Sequence, residues 1–406
     1  MRNIVLVDNG LTGHRLSFNR TFSKILLKLD CRVFLLVPGS PSLIPWIRVE
    51  AAEHSQNFFP VDYQPSNHRP KKSGRIATLH AQLERWRTIA KKIKDIETKY
   101  NLKIDLVFFS WFDEFLGQYI HPLILNKIFP WKWSGLYFHP YHLRRQPKFL
   151  TRRLSWRDID SPFLSRHCIG ICFHDRSIAH SVQLNRYHKR VYTFPETADC
   201  SKPDENNELA KQIKSLAKER IVVGLIGCEP HKGVEMVLDL ADRADPSKYF
   251  FVFLGILNLI SFNKELLIKW QNFFNTKREN CYSCFGHINE GASYNAVFTA
   301  IDIHFLVYLD FVSSSNRLTK AASLSRYVLA ADEYCIGDDV KSFRLGEVVP
   351  PGDLETALKA LDRLRDKILM DDFPLNQWLT YANLNSEDEL LKQFSSLIDT
   401  LAISIK

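Results

Sequence analysis

Short apolar runs alternate with longer stretches whose apolar residues recur every three or four positions. In the first half the runs fall at 4–7, 31–37, 104–110, 134–139, 168–174 and 191–194. Continuous rather than alternating apolarity marks strands covered on both faces, and helix-length spacers supply the crossovers of a parallel sheet. The clearest helix carries Ile76, Leu79, Leu83, Trp86, Ile89, Ile93 and Ile96 on one stripe, with Lys and Arg filling its other face. Such a stripe reads as core contact. A polar stretch at 199–207 interrupts the pattern near the midpoint and reads as a hinge. A second alternation follows, with strands at 221–226, 250–254, 283–285, 303–307, 328–331 and 347–349, and helices starting near Gly233, Ala292, Asn316 and Asp353. The last amphipathic stretch, 387–405, spaces Leu390, Leu391, Phe394, Leu397 and Leu401 as a closing helix. The pattern predicts two open α/β sheets facing each other.

Length agrees with that division, because 406 residues exceed what one hydrophobic core usually serves. Hydrophobic residues make up 45% and charged residues 24%, which excludes wholesale disorder, a collagen-like chain and a coiled coil. The first apolar run is too short for a signal-peptide core, and the longest run, 249–262, is interrupted by Gly255 and Asn258. A cytoplasmic protein without a membrane span is expected. Eight cysteines are scattered singly apart from Cys281-Tyr282-Ser283-Cys284. No second CxxC or spaced His pair completes a zinc site, so buried free thiols are expected.

The formal charge of +9 changes the picture of partners. Cations cluster at 68–75, at 85–94, and at Arg144, Arg145, Lys148, Arg152, Arg153 and Arg157. They suit nucleic acid, an anionic bilayer, or simply solvated faces.

In open parallel sheets ligands gather beyond the carboxyl ends of strands, so the loops after the predicted strands are where chemistry belongs. After the first strand comes Asp8-Asn9-Gly10-Leu11-Thr12-Gly13-His14-Arg15, leading into a helix. Two glycines allow tight turns, and free amides at a helix start attract phosphate, although strand-to-helix glycines also serve packing alone. The loop Gly227-Cys228-Glu229-Pro230-His231-Lys232-Gly233 joins glycine, a lysine point charge and a helix start, which suits a diphosphate. GxxxxGK[ST] is absent, which argues against an ATPase or kinase. Ser313, Ser314, Ser315, Asn316 and Arg317 form either an ordinary helix cap or a set of phosphate or ribose donors. His139, after Leu136-Tyr137-Phe138, is either structural or sugar-contacting. Asp113-Glu114 is either a hydroxyl-orienting base pair or the acidic first turn of a helix.

Taken in order, these segments resemble glycosyltransferases of the GT-B fold, especially family 4, the retaining nucleotide-sugar transferases. The carrying residues are Gly227 with Lys232-Gly233, Phe194-Pro195-Glu196-Thr197-Ala198-Asp199, Phe285-Gly286, the stretch 316–331, and Gly346 through Pro351-Gly352-Asp353. The resemblance implies two Rossmann-like domains across a cleft: 1–200 binding the acceptor, 201–380 binding the nucleotide sugar, and 381–406 packing back on the first. It implies Lys232 on the donor diphosphate, with Gly13, His14, Gly227, Gly233, Ser314, Ser315, Asn316, Arg317 and Lys320 around the donor. His139, Asp113 and Lys232 are the implied catalytic residues. The implied donor is a nucleoside diphosphate sugar, with no permanent cofactor and no essential metal. The implied acceptor is a glycan or lipid-linked molecule. An anionic membrane surface is the expected further partner, and nucleic acid is not.

The sequence departs from that family at three places. Val312 and Lys320 stand where two glutamates separated by seven residues are usual, and the arginine that accompanies the lysine is replaced near Cys228. Arg317 or Lys320 is expected to supply the missing charge. An inactive binding subunit and a sugar-nucleotide epimerase therefore stay open beside a transferase. Asp158-Ile159-Asp160 has the form of a metal-binding DxD but sits in an arginine-rich loop, so no metal is assigned to it.

Overall fold

The computed structural model describes residues 1–65, 74–276 and 278–403. The basic cluster at 68–75 and the end of the 387–405 stretch lie largely or partly outside the described residues. The chain divides into two compact units, one formed by Met1–Pro195 with Glu387–Lys406 and the other by Glu196–Ser386.

The first unit contains strands β1 (Arg2–Val7), β2 (Cys31–Leu36), β3 (Phe58–Val61), β4 (Leu106–Phe109) and β5 (Trp133–Gly135). They form a parallel sheet in the order β3-β2-β1-β4-β5. Two further parallel strands, β6 (Gly170–Phe173) and β7 (Arg190–Thr193), continue from β5 through the single bridges Trp133↔Cys168 and Leu136↔Cys172. Strand β3 has no counterpart among the predicted strands. Its Phe-Phe-Pro-Val sequence is broken by Pro60, which the sheet tolerates because β3 is the edge. The predicted strand at 134–139 is also shorter, ending at Gly135. Beyond it the amides of Phe138 and His139 leave the ladder for the carboxylate of Asp113, at 2.8 and 2.7 Å.

Core packs on both faces of this sheet. On one face Trp86 of the helix Arg75–Tyr100 sits among Phe109, Phe112, Phe115, Phe129 and Trp133. On the other, the helix Glu387–Ile403 brings Phe394 within 5.3 Å of Phe22, 5.0 Å of Phe108 and 4.9 Å of Phe194, ring centre to ring centre. Leu390, Leu397 and Leu401 are buried beside it.

The second unit contains β8 (Ile221–Cys228), β9 (Tyr249–Leu257), β10 (Cys281–Phe285), β11 (Ile303–Leu306), β12 (Tyr327–Ala331) and β13 (Gly346–Val349). All pair in parallel, in the order β10-β9-β8-β11-β12-β13. That is the doubly wound Rossmann order, and its direction reverses between β8 and β11, where such sheets leave a crevice for ligands. In the first unit the corresponding reversal lies between β1 and β4. The expected fold class, α/β with two Rossmann-like units, is the observed one.

Cys281 and Cys284 lie three residues apart along β10, a spacing that points them to opposite faces. Among the described residues all eight cysteines are free and no cluster of His, Cys, Asp and Glu has metal-holding geometry. No described helix is long and apolar enough to cross a membrane.

Candidate functional site

In the second unit the site grows from the end of β8. The strand is buried along its length, and its register against β9 slips between Ile226 and Cys228. The slip occurs at Gly227, whose φ of +75° suits glycine. The chain then makes a turn, Pro230–Lys232, and enters the helix Val234–Arg243 through Gly233, also at φ +75°. Gly233 is required for a second reason: a Cβ there would lie 2.3 Å from the carbonyl oxygen of Val307. This close approach, with Leu309 N–H donating to His231 O at 2.7 Å, anchors the loop after β8 to the loop after β11.

Two cations meet over Gly227. A Cβ on that glycine would lie 2.7 Å from Lys232 Nζ and 3.5 Å from Arg317 Nη2. Arg317 belongs to the first turn of the helix Asn316–Ser323 and donates from Nη1 to Tyr308 Oη at 2.9 Å. Contact with Tyr308 and Tyr294 holds its pKa above the usual arginine value despite burial. Burial first, and Arg317 second, push the Lys232 ammonium down to about 8. Glu229, 3.5 Å from Lys232, offsets the two positive charges only in part. Like charges held this close over a glycine are a candidate site for an anion.

Lys320 does not join them. It is 4% exposed, donates to the carbonyl of Asp199 and the amide oxygen of Asn295, and lies over the Tyr294 ring. Its ammonium ties the segment after Pro195 to the helix Ala292–Thr299, a tether inside this unit. Of the two candidates for the missing charge, only Arg317 reaches Lys232. Ser314 and Ser315 are buried in the loop after β11, and Ser315 caps the Arg317 helix without a side-chain capping bond. Asn316 opens that helix. Val312 is fully buried.

In the first unit Gly13, at φ +57°, caps the helix His14–Lys28, and His14 is exposed at its start. His139 follows β5, with Nδ1 3.6 Å from Asp113 Oδ1 and its ring stacked on Tyr141 at 5.6 Å and tilted against Trp111 at 5.4 Å. Both Asp113 oxygens accept backbone amides, so this carboxylate sets the loop that presents His139.

The sequence reading missed the polar network at the β1/β4 reversal. Asp8, 1% exposed, receives Arg15 Nη1 at 2.6 Å and Asn19 Nδ2 at 3.0 Å, while Arg15 also pairs with Glu114 and lies over Trp111. Burial outweighs Arg15 and raises the Asp8 pKa to about 6. The available signal was Asp8 standing at the end of an otherwise apolar strand.

The DxD triplet is committed elsewhere. Asp160 is fully buried and accepts Arg186 at 2.9 and 2.7 Å and Tyr187 Oη at 2.6 Å; Asp158 accepts Arg186 at 3.1 Å and Arg152. These pairs staple the 152–187 region and leave neither carboxylate facing solvent as a ligand.

No family model matches the sequence, and no curated protein matches it. Solved structures do match over the whole chain. Sucrose-phosphate synthase from Thermosynechococcus elongatus superposes with a TM-score of 0.67 at 14% identity, covering 100% of both chains. The α,α-trehalose 6-phosphate synthase from Burkholderia multivorans gives 0.66 at 11%, again covering 100% of both. Anabaena HepE, solved in complex with UDP, gives 0.62 at 13%, covering 98% of this chain and 100% of its own. The fold is therefore that of the GT-B glycosyltransferases.

Proposed function

We propose that the chain is a glycosyltransferase that takes a sugar from a nucleoside diphosphate donor held by the second unit and passes it to an acceptor held by the first. The observation that carries this reading is the convergence of Lys232 and Arg317 over Gly227 at the topological reversal of a Rossmann sheet. HepE, solved with UDP, supports a nucleoside diphosphate as the anion.

In this reading the donor diphosphate lies against Gly227, with Lys232 and Arg317 on its oxygens and Ser314, Ser315 and Asn316 on further phosphate or ribose oxygens. As the glycosidic bond breaks, negative charge grows on the leaving phosphate, and two preplaced cations stabilise it without reorganisation. They do so without a resident metal. Gly13 and His14 offer amides and an imidazole at a helix start. His139 bonds a hydroxyl at the reacting face, with Asp113 as its positioning residue. A glycan or lipid-linked acceptor and retention of configuration complete the proposal, and retention needs no glycosidase-type carboxylate pair.

A binding subunit without turnover is the second reading, favoured by Lys320, which occupies a usual glutamate position and is spent as an internal tether. Incubation with UDP-, GDP- and ADP-sugars, with and without glycan or lipid-linked acceptors and read by mass spectrometry, separates the two. A glycosylated product lost in Lys232→Ala supports transfer. Nucleotide binding with no product from any pair supports the subunit, and an altered sugar without acceptor means epimerisation.

A further inference from the structure

The cations singled out at 144–157 belong to a larger feature of the first unit. Between Phe115 and Pro195 the chain carries thirteen Lys or Arg and only three acids, Asp158, Asp160 and Asp175. All three acids are buried, at 7%, 0% and 2% exposure, and paired with arginines 152, 186 and 144. No carboxylate from this stretch therefore reaches solvent, whereas Lys127, Lys148, Arg153 and Arg157 are exposed.

The same stretch of chain also exposes large apolar side chains. Backbone bonds from Gly117 N–H to Ile159 O and from Tyr119 N–H to Trp156 O, at 2.8 and 3.0 Å, join the segment before the helix Pro122–Ile128 to the arginine-rich loop. The join places Trp156, 41% exposed, against the rings of Tyr119 and His121. Two and three residues beyond His121 stand Leu123 and Ile124, 71% and 48% exposed. Arg157 lies over the Trp156 ring, so the aromatic and the cation occupy one place.

From this we infer that the Leu123–Trp156 face of the first unit docks on an anionic lipid bilayer. An interfacial tryptophan flanked by branched aliphatics inserts at headgroup depth, and arginines and lysines around it meet lipid phosphates. A nucleic acid would draw on the cations but has no use for exposed Leu123, Ile124 and Ile159. The inference rests on the transferase reading only in naming the acceptor side as membrane-borne; docking itself needs no catalysis.

The test is sedimentation of the full chain, without nucleotide, with vesicles of phosphatidylcholine alone and of phosphatidylcholine mixed with phosphatidylglycerol. The protein should sediment with the anionic vesicles and be released by salt. Each cation near the surface is worth about fivefold, so Lys148→Gln/Arg153→Gln/Arg157→Gln should weaken binding about a hundredfold with an unchanged melting midpoint. Leu123→Asn/Ile124→Asn should weaken it while keeping its salt dependence. Lys232→Ala should bind vesicles normally, which separates this inference from the donor site. Failure of the wild type to sediment, indifference to lipid charge, or loss of duplex DNA binding rather than vesicle binding in the triple variant would overturn it.

Discussion

Gly227 matters because it has no side chain: a Cβ there would meet Lys232 and Arg317, so only glycine lets the two cations converge at the end of β8. The lysine of this pair was legible in the sequence from its glycine-flanked loop. Its partner was legible only as one of two candidates, because Arg317 arrives from a helix after β11, and nothing in one dimension separates it from Lys320. The separation is made by burial, which gives Lys320 two oxygen acceptors inside the unit. The pair has a pH consequence. The free-site Lys232 titrates near 8, and a bound diphosphate raises that value by supplying the missing anion. Below pH 8 the ammonium is already formed and affinity should be flat; above it binding must take up a proton, so affinity should fall by as much as tenfold per pH unit. Calorimetric titration of UDP in buffers of different ionisation enthalpy should show that uptake in the wild type and none in Lys232→Ala.

Among elements, the strands buried on both faces were the most readable, since β1, β2, β8 and β9 are nearly unbroken apolar runs. Edge strand β3 was not, because Pro60 imitates a loop and only an edge position makes it acceptable. The Asp113 turn was hidden for another reason. Its carboxylate caps amides 25 and 26 residues away, so the acid that looks like a base in sequence acts on the backbone. The helix Glu387–Ile403 supplies an independent check at this scale. Phe394 is fully buried against Phe22, Phe108 and Phe194, and removing its ring leaves a cavity in the first unit. Phe394→Ala should cost about 4 kcal/mol. Chemical denaturation followed by a probe in each unit should show the loss in the first; an unchanged midpoint there would mean that the helix is not part of that core.

For the molecule as a whole, two parallel sheets of Rossmann type place their reversal points at β1/β4 and β8/β11, and a polar group stands at each. The second unit presents a pair of cations. The first presents a self-satisfied network of Asp8, Arg15, Asn19 and Glu114 beside His139. That asymmetry supports assigning the diphosphate donor to the second unit. We propose that Lys232 and Arg317 together grip the outer phosphate of a nucleoside diphosphate. The most direct measurement compares UDP with UMP, and GDP with GMP, by titration calorimetry in the wild type, Lys232→Ala and Arg317→Gln. Charge-assisted contacts to one further phosphate should make the preferred diphosphate at least about tenfold tighter than its monophosphate, and either substitution should erase most of that gap. Equal affinity for mono- and diphosphate in the wild type, or a gap that survives both substitutions, would contradict the account.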